Sequence, residues 1–255
     1  MSFPGSRGAS TRAIVLRSSE YGENSKVVTL LSEDFGKVEV FARRTERSSS
    51  TKGRGLLLQS LCVLDVELLE RKSSLWSLRR AEVQEHFPDL LRHFTKLSVA
   101  SAALRFLRQC APLGVVLPQL FAETRAMLRG IDALAVGESP TLVYFAYQMR
   151  VLSALGLAPS LEACGGCGRR PAADQAAGFD ASRGQLICRA CGGSALVLNA
   201  RVRKALSDAQ GAEFAPELWR WSASDVETAN RALGEFVLHH LGVRYEAPAA
   251  KSFCV

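Results

Sequence analysis

Residues 164–191 read CGGCGRRPAADQAAGFDASRGQLICRAC: two C-x-x-C pairs, Cys164/Cys167 and Cys188/Cys191, with twenty residues between them. A four-coordinate metal site needs two thiolate pairs, each in a tight knuckle, and a link long enough to fold back. This spacing meets both conditions at the upper edge of the zinc-ribbon range. Glycine follows each pair (Gly168; Gly192 and Gly193), where a knuckle turns through positive φ. A redox pair would not explain a second C-x-x-C at ribbon distance. The expected ligands are Cys164, Cys167, Cys188 and Cys191, holding one structural Zn2+. Four thiolates leave no open coordination position, so the ion braces chain rather than doing chemistry. Between the pairs only Phe179 and Leu186-Ile187 are strongly apolar. Such a segment cannot bury a core alone, and metal binding supplies its folding energy. Arg169, Arg170, Arg183 and Arg189 surround the thiolates, either offsetting the cluster's negative charge or touching phosphate.

Outward from this segment, the chain changes character on each side. Ser139-Pro140 marks a helix start, with serine as N-cap and proline at the first helical position. The helix runs Thr141–Leu155 and ends at Gly156 and Pro159. Its apolar residues lie nearly all round, as in the central helix of a bundle. Upstream, Leu90, Leu91, Phe94, Leu97, Ala100, Leu104 and Leu107 follow a 3–4 spacing and predict one helix over 89–110, and Leu117–Arg129 is a second. Downstream, Asn199 caps a short helix to Ala209. Ser224-Asp-Val-Glu227 reads as a capping box opening a helix that ends near Gly242, with His239 and His240 favoured there by the helix dipole.

Residues 11–87 read as β instead. Thr11–Arg17, Ser25–Leu31, Val38–Ala42, a strand within Leu56–Leu69, and Leu75–Val83 are five strands, with a turn at Asp34-Phe35-Gly36-Lys37. Five strands in so short a span fit an OB-type barrel. Between the third and fourth lies Arg43–Gly55, RRTERSSSTKGRG, with five basic residues and one acid. It has no apolar period and reads as a loop that contacts nucleic acid. Trp76 sits between Arg71-Lys72 and Arg79-Arg80, where a ring could either stack on a base or pack inward. Trp219 and Trp221, like Cys62 and Cys110, are expected to pack.

Charge agrees with this division. The chain of 255 residues carries a formal +7, and residues 1–80 hold fourteen Lys/Arg against nine Asp/Glu. Basic surface attracts polyanions by releasing their condensed counterions. No apolar run is long enough to span a bilayer and the N-terminus lacks a signal-peptide core, so the expected compartment is the reducing cytoplasm. There, paired cysteines read as metal ligands rather than disulfides. No P-loop, H-E-x-x-H, G-x-S-x-G or dinucleotide fingerprint occurs. The expectation is a binding protein rather than an enzyme. The competing classes are a nucleic-acid-modifying enzyme and a zinc-ribbon OB-fold factor for RNA or DNA.

Three stretches carry a family resemblance: Tyr21-Gly-Glu-Asn-Ser-Lys-Val-Val-Thr-Leu-Leu31, Phe35-Gly-Lys37, and Leu155-Gly-Leu-Ala-Pro-Ser-Leu-Glu-Ala-Cys164 leading into the cysteines. With the order of parts, the chain resembles the bacterial recombination mediator family RecO over most of its length. One departure is Ala42-Arg-Arg44, where the family tends to carry a Lys-Gly-Ala-type segment. The resemblance implies a protein that binds single- and double-stranded DNA without sequence specificity and anneals complementary strands. It implies association with RecR, contact with single-strand-binding protein, and help in loading RecA, with no nucleotide cofactor and no membrane, at the bacterial nucleoid. The expected fold is α+β. Residues 1–82 form the OB barrel, 83–162 with 195–245 a helical bundle, 163–194 an inserted four-cysteine zinc finger, and 246–255 a tail. The nucleic-acid residues expected are Arg43, Arg44, Arg47, Lys52 and Arg54 in the loop, with Arg71, Lys72, Trp76, Arg79 and Arg80 beyond it.

Overall fold

The computed structural model describes residues 8–23, 25–43, 61–70, 76–135, 138–211 and 221–244. The chain divides into two compact units, Met1–Arg92 with Ala111–Asp132, and His93–Cys110 with Ala133–Val255.

The first unit is built on a closed barrel of β1 (Gly8–Glu20), β2 (Ser25–Ser32), β3 (Gly36–Arg43), β4 (Cys62–Leu69) and β5 (Trp76–His86), in the order β1-β2-β3-β5-β4. Strict alternation builds it. Val38, Val40 and Ala42 of β3 and Cys62, Leu64, Val66 and Leu68 of β4 point inward and share one core with Ala13, Val15, Val28 and Leu30. Burial pushes the Cys62 thiol up to about 11, which suits a packing residue. β1 runs past the expected Arg17 because it has two partners: Gly8–Ile14 pairs with β4, and Ala13–Glu20 pairs with β2. Polar Ser18, Ser19 and Glu20 stay extended because closure needs one long strand joined along both edges. β5 pairs antiparallel with β4 and parallel with β3 at Val40↔Trp76, completing an OB-fold barrel.

The same unit takes in α1 (Pro88–Arg92) and nearly all of α3 (Pro118–Ala133). Asp132 accepts a hydrogen bond from Leu90 N at 2.7 Å, capping α1 from α3. Glu85 on β5 takes Arg125 Nε at 2.6 Å and is also bonded by Arg129. Burial alone would raise the Glu85 carboxyl, but hydrogen bonds from Arg129 and Arg125 outweigh it and hold the group below its ordinary value. A carboxyl lowered in this way adds stability that is complete above its unfolded pKa of about 4.3 and is lost as pH falls through the folded value. Glu85→Gln is expected to cost roughly 2 kcal/mol at pH 7. Thermal melts should show the gap from wild type closing below about pH 4; a gap independent of pH would remove the ion pairs as its cause.

The second unit holds α2 (Phe94–Cys110), α4 (Thr141–Ala154), α5 (Ala200–Asp208) and α6 (Ala223–Leu241), with a sheet ordered β6 (Ser160–Cys164), β8 (Gln185–Ile187), β7 (Ala177–Asp180), β9 (Val197–Leu198). The single helix expected over 89–110 is broken at His93, so α1 and α2 belong to different units. The apolar period survives the break because each half buries its own face, Leu90 on one side and Val99, Leu104 and Leu107 on the other. Phe94 and Leu91, read as part of one stripe, are exposed. α4 is buried on nearly every face, as its composition predicts. Its N-cap is Pro140, with no side-chain cap, rather than Ser139.

Asn199 caps α5, accepting from Val202 N at 2.9 Å, as expected. The box opening α6 is Ser222 with Asp225, not Ser224 with Glu227. Two overlapping serine-x-x-acid frames exist in the sequence, and tertiary partners choose between them. Asp225 also accepts from Asn199 Nδ2 at 2.6 Å and pairs with Arg201 at 3.2 Å, joining the two caps. Among the described residues no helix is long and apolar enough to cross a membrane.

Candidate metal centre and nucleic-acid interface

The two cysteine pairs are shaped by local backbone geometry. In the first, Gly168 N donates to Cys164 O at 2.8 Å and Cys164 N donates to Arg169 O at 2.9 Å, with Gly168 at φ +71°. In the second, Cys191 N and Gly193 N both donate to Cys188 O at 3.0 Å, with Gly192 at φ +111° and Gly193 at +64°. Positive φ therefore falls on the glycines the motif supplies. Gly166 matters for a different reason: a Cβ there would lie 3.1 Å from Cys191 Sγ, so it keeps room between the pairs. Parallel pairing of β6 with β8 and the bond from Gly165 N to Leu186 O at 2.9 Å bring the knuckles together.

The four sulfurs lie within 4.8 Å of one another, and Cys167 Sγ is 3.8 Å from Cys188 Sγ. Sulfurs about 2.3 Å from a central ion sit about 3.8 Å apart in a tetrahedron, so this donor set fits a metal ion with little movement. Cys188 N donates to Cys164 Sγ at 3.3 Å. This amide, with those of Gly166 and Cys167, lowers the Cys164 thiol to about 6. Cys191 is pushed the other way, to about 12, by its hydrogen bonds with Cys188, Cys167 and Cys164. Four crowded sulfurs oppose one another's ionisation, and a bound dication would remove that opposition.

The module borrows its core. Leu161, Phe179, Leu186, Leu196 and Leu198 are buried, and the Phe179 ring lies 6.4 Å from Phe236 of α6. Gly184, at φ +63°, approaches so closely that a Cβ would be 2.5 Å from Phe236 Cε2. His240 stacks on Phe236 at 4.3 Å, which gives it a packing role beyond its place at the helix end. Of the four surrounding arginines, Arg170 pairs with Glu162 at 3.6 Å and Arg183 with Asp180 at 3.7 Å. Arg169 and Arg189 instead line an open groove of about 610 Å³ beside Cys164 and Cys188.

On the barrel, Arg44, Arg47, Lys52, Arg54, Arg71 and Lys72 lie outside the described residues, as does Trp219. Arg79 pairs with Glu67 at 3.5 Å and Arg80 with Glu82 at 2.6 Å, all on the exposed surface. Exposed pairs of this kind are weak, and both arginines remain open to a phosphate. Trp76 is half-buried, its ring 4.9 Å from Phe35 and packed against the barrel core. Trp221 packs on Phe145 at 5.1 Å.

Sequence reasoning passed over two aromatics beside Arg43. Tyr21 follows β1 and is 63% exposed, and Phe41 of β3 meets it edge-on at 5.9 Å and 82°. The Arg43 guanidinium lies over the Phe41 ring at 5.9 Å. The signal was in the alternation: with Val38, Val40 and Ala42 inward, Phe41 has to face out.

Comparison with known proteins covers nearly the whole chain. Residues 7–87 match the family described as "Recombination protein O N terminal", and residues 91–247 match "Recombination protein O C terminal". A "DNA repair protein RecO" of Anaeromyxobacter dehalogenans strain 2CP-1 is 31% identical over 244 residues, 94% of each chain. One from Pelobacter propionicus is 31% identical over 182 residues, 71% of each. One from Myxococcus xanthus is 28% identical over 242 residues, 92% of this chain and 93% of that one.

Proposed function

The chain belongs to the recombination protein O family of DNA repair proteins, and from that premise we propose that it grips DNA by charge, without reading sequence, and anneals complementary strands. The observation that supports this most is the closed β1-β2-β3-β5-β4 barrel, an architecture that binds oligonucleotides across its second and third strands and adjoining loops. The basic segment 43–55 joins two of its strands, so five positive charges are tethered to the barrel. Bringing two strands together requires screening roughly one charge per phosphate, and cationic surface does that without a nucleotide cofactor. Arg79 and Arg80 extend the cationic surface along β5, and Arg71 and Lys72 precede it.

In this scheme one zinc ion held by Cys164, Cys167, Cys188 and Cys191 braces the sheet β6–β9, and catalysis forms no part of the role. RecR and single-strand-binding protein are the proposed protein partners, and RecA loading on coated single strands the outcome, with the work done at the nucleoid. Residues 81–255 carry less excess charge than residues 1–80, and the helices among them are the proposed docking region for these partners.

The test is a salt series. Affinity for an oligonucleotide, plotted as log K against log salt, should fall steeply. Neutralising Arg43, Arg44, Arg47, Lys52 and Arg54 together should flatten the slope by about two to three. An unchanged slope removes the segment from the grip. Complementary oligonucleotides that the protein fails to anneal in dilute buffer would end the proposal itself.

A further inference from the structure

Resting on the nucleic-acid reading above, we infer that Tyr21, Phe41 and Arg43 form a base-stacking platform that holds unpaired nucleotides and favours single strands over duplex.

Three observations carry this. The first is an aromatic on the wrong side of a strand. The outward positions of β3 are Lys37, Glu39, Phe41 and Arg43, and its core side is supplied by Val38, Val40 and Ala42. A ring at an outward position is not needed for the barrel core. The second is Tyr21, whose 63% exposure leaves most of a large ring in water. It is held there by the bond from Tyr21 N to Ser25 O at 2.8 Å and by the turn through Gly22 at φ +65°. The edge-on contact with Phe41 positions the two rings without stacking them face to face. Val27 lies opposite Phe41 in the β2–β3 register and continues the apolar ledge. The third is the cation: the Arg43 guanidinium lies over the Phe41 ring, 5.9 Å from its centroid, so a positive charge for a phosphate accompanies the aromatic pair while the exposed Tyr21 ring is left for a base.

The platform lies on the turn between the first two strands and on the outer face of the second and third, the surface an OB barrel offers to a polynucleotide. A base in a single strand has a free π-face to give, whereas a base inside a duplex has already spent both on its neighbours. Stacking therefore discriminates between the two, and phosphate contacts do not. Stacking also releases no counterions, so it raises affinity without steepening the salt dependence.

The experiment uses full-length protein and fluorescence anisotropy against an oligo-dT 20-mer and a 20-base-pair duplex, each across a salt series. Tyr21→Ala should weaken single-strand binding about tenfold. It should leave duplex binding within about twofold and both salt slopes unchanged, with a melting temperature equal to wild type. Tyr21→Phe, which keeps the ring, should bind as wild type does. Equal losses on both DNAs, no loss on either, or a lowered melting temperature in Tyr21→Ala would each overturn the platform. Wild-type binding to both DNAs alongside such a result would leave the charge-based grip standing. Failure of the wild type to bind at low salt would sink both.

Discussion

Replacing Cys164 and Cys167 together by alanine should reduce bound zinc from about one equivalent to none and lower the melting temperature by roughly 10 °C. The size follows from what the metal replaces. The segment between the cysteine pairs has two fully buried large side chains, Phe179 and Leu186, too few to hold it folded by themselves. Structural zinc in isolated finger peptides contributes on the order of 10 kcal/mol. Here part of that is returned, because α6 and the Phe179–Phe236 contact still offer the segment a surface. A net loss of about 4 kcal/mol shifts the melting point of a domain this size by about 10 °C. Treating the wild type with a chelator should give the same curve. Metal content by atomic absorption and melting by calorimetry check both halves. Strand annealing should persist at temperatures where the variant stays folded; if annealing vanished with the fold intact, the module would be a DNA contact rather than a brace.

The second large effect is expected at Gly36→Ala. Gly36 closes the β2–β3 turn at φ +66°, and a Cβ there would lie 2.0 Å from Val115 O and 2.6 Å from Val115 C. Two costs add. The left-handed conformation costs an alanine about 1 kcal/mol. The clash is with backbone, which cannot rotate away, and that stretch is tied down by Gly114 N donating to Lys37 O at 2.8 Å. Together they should exceed about 3 kcal/mol, or 10 °C or more in melting temperature for a unit near 100 residues. Gly22 is the control: its φ of +65° is the same, but nothing lies within 4 Å of a Cβ there. Gly22→Ala should cost about 1 kcal/mol. If the two variants melted alike, the close approach of residue 115 to the turn would be wrong.

The contrast between those glycines marks where sequence reading stops. The Asp34-Phe35-Gly36-Lys37 turn was legible, because a turn is a matter of four consecutive residues. That Gly36 also faces Val115 was not, since nothing near residue 36 records a neighbour so distant in the chain. Asn199 as a cap was legible for the same local reason. The α6 box was misplaced because two serine–acid frames overlap, and the choice fell to Asn199 and Arg201. The break at His93 left no trace in a period that both halves continue. The four strands around the cysteines were missed because each is only two to five residues long and shows no alternation of its own. On the barrel, Arg43, Trp76, Arg79 and Arg80 are placed by the structure, and the other basic residues expected at the site lie outside the described residues.

What the sequence determined by itself was whatever depends on neighbours within a few positions: the thiolate pairs and their glycines, the inward alternation of the strands, the turns and one helix cap. Only tertiary structure decided how β1 closes the barrel along both edges, which serine caps α6, and that Tyr21 comes to rest against Phe41 and Arg43. The physical reason is range. Dihedral preference and side-chain period act through a few bonds, whereas closure, packing and the meeting of rings twenty residues apart depend on how the chain folds back on itself.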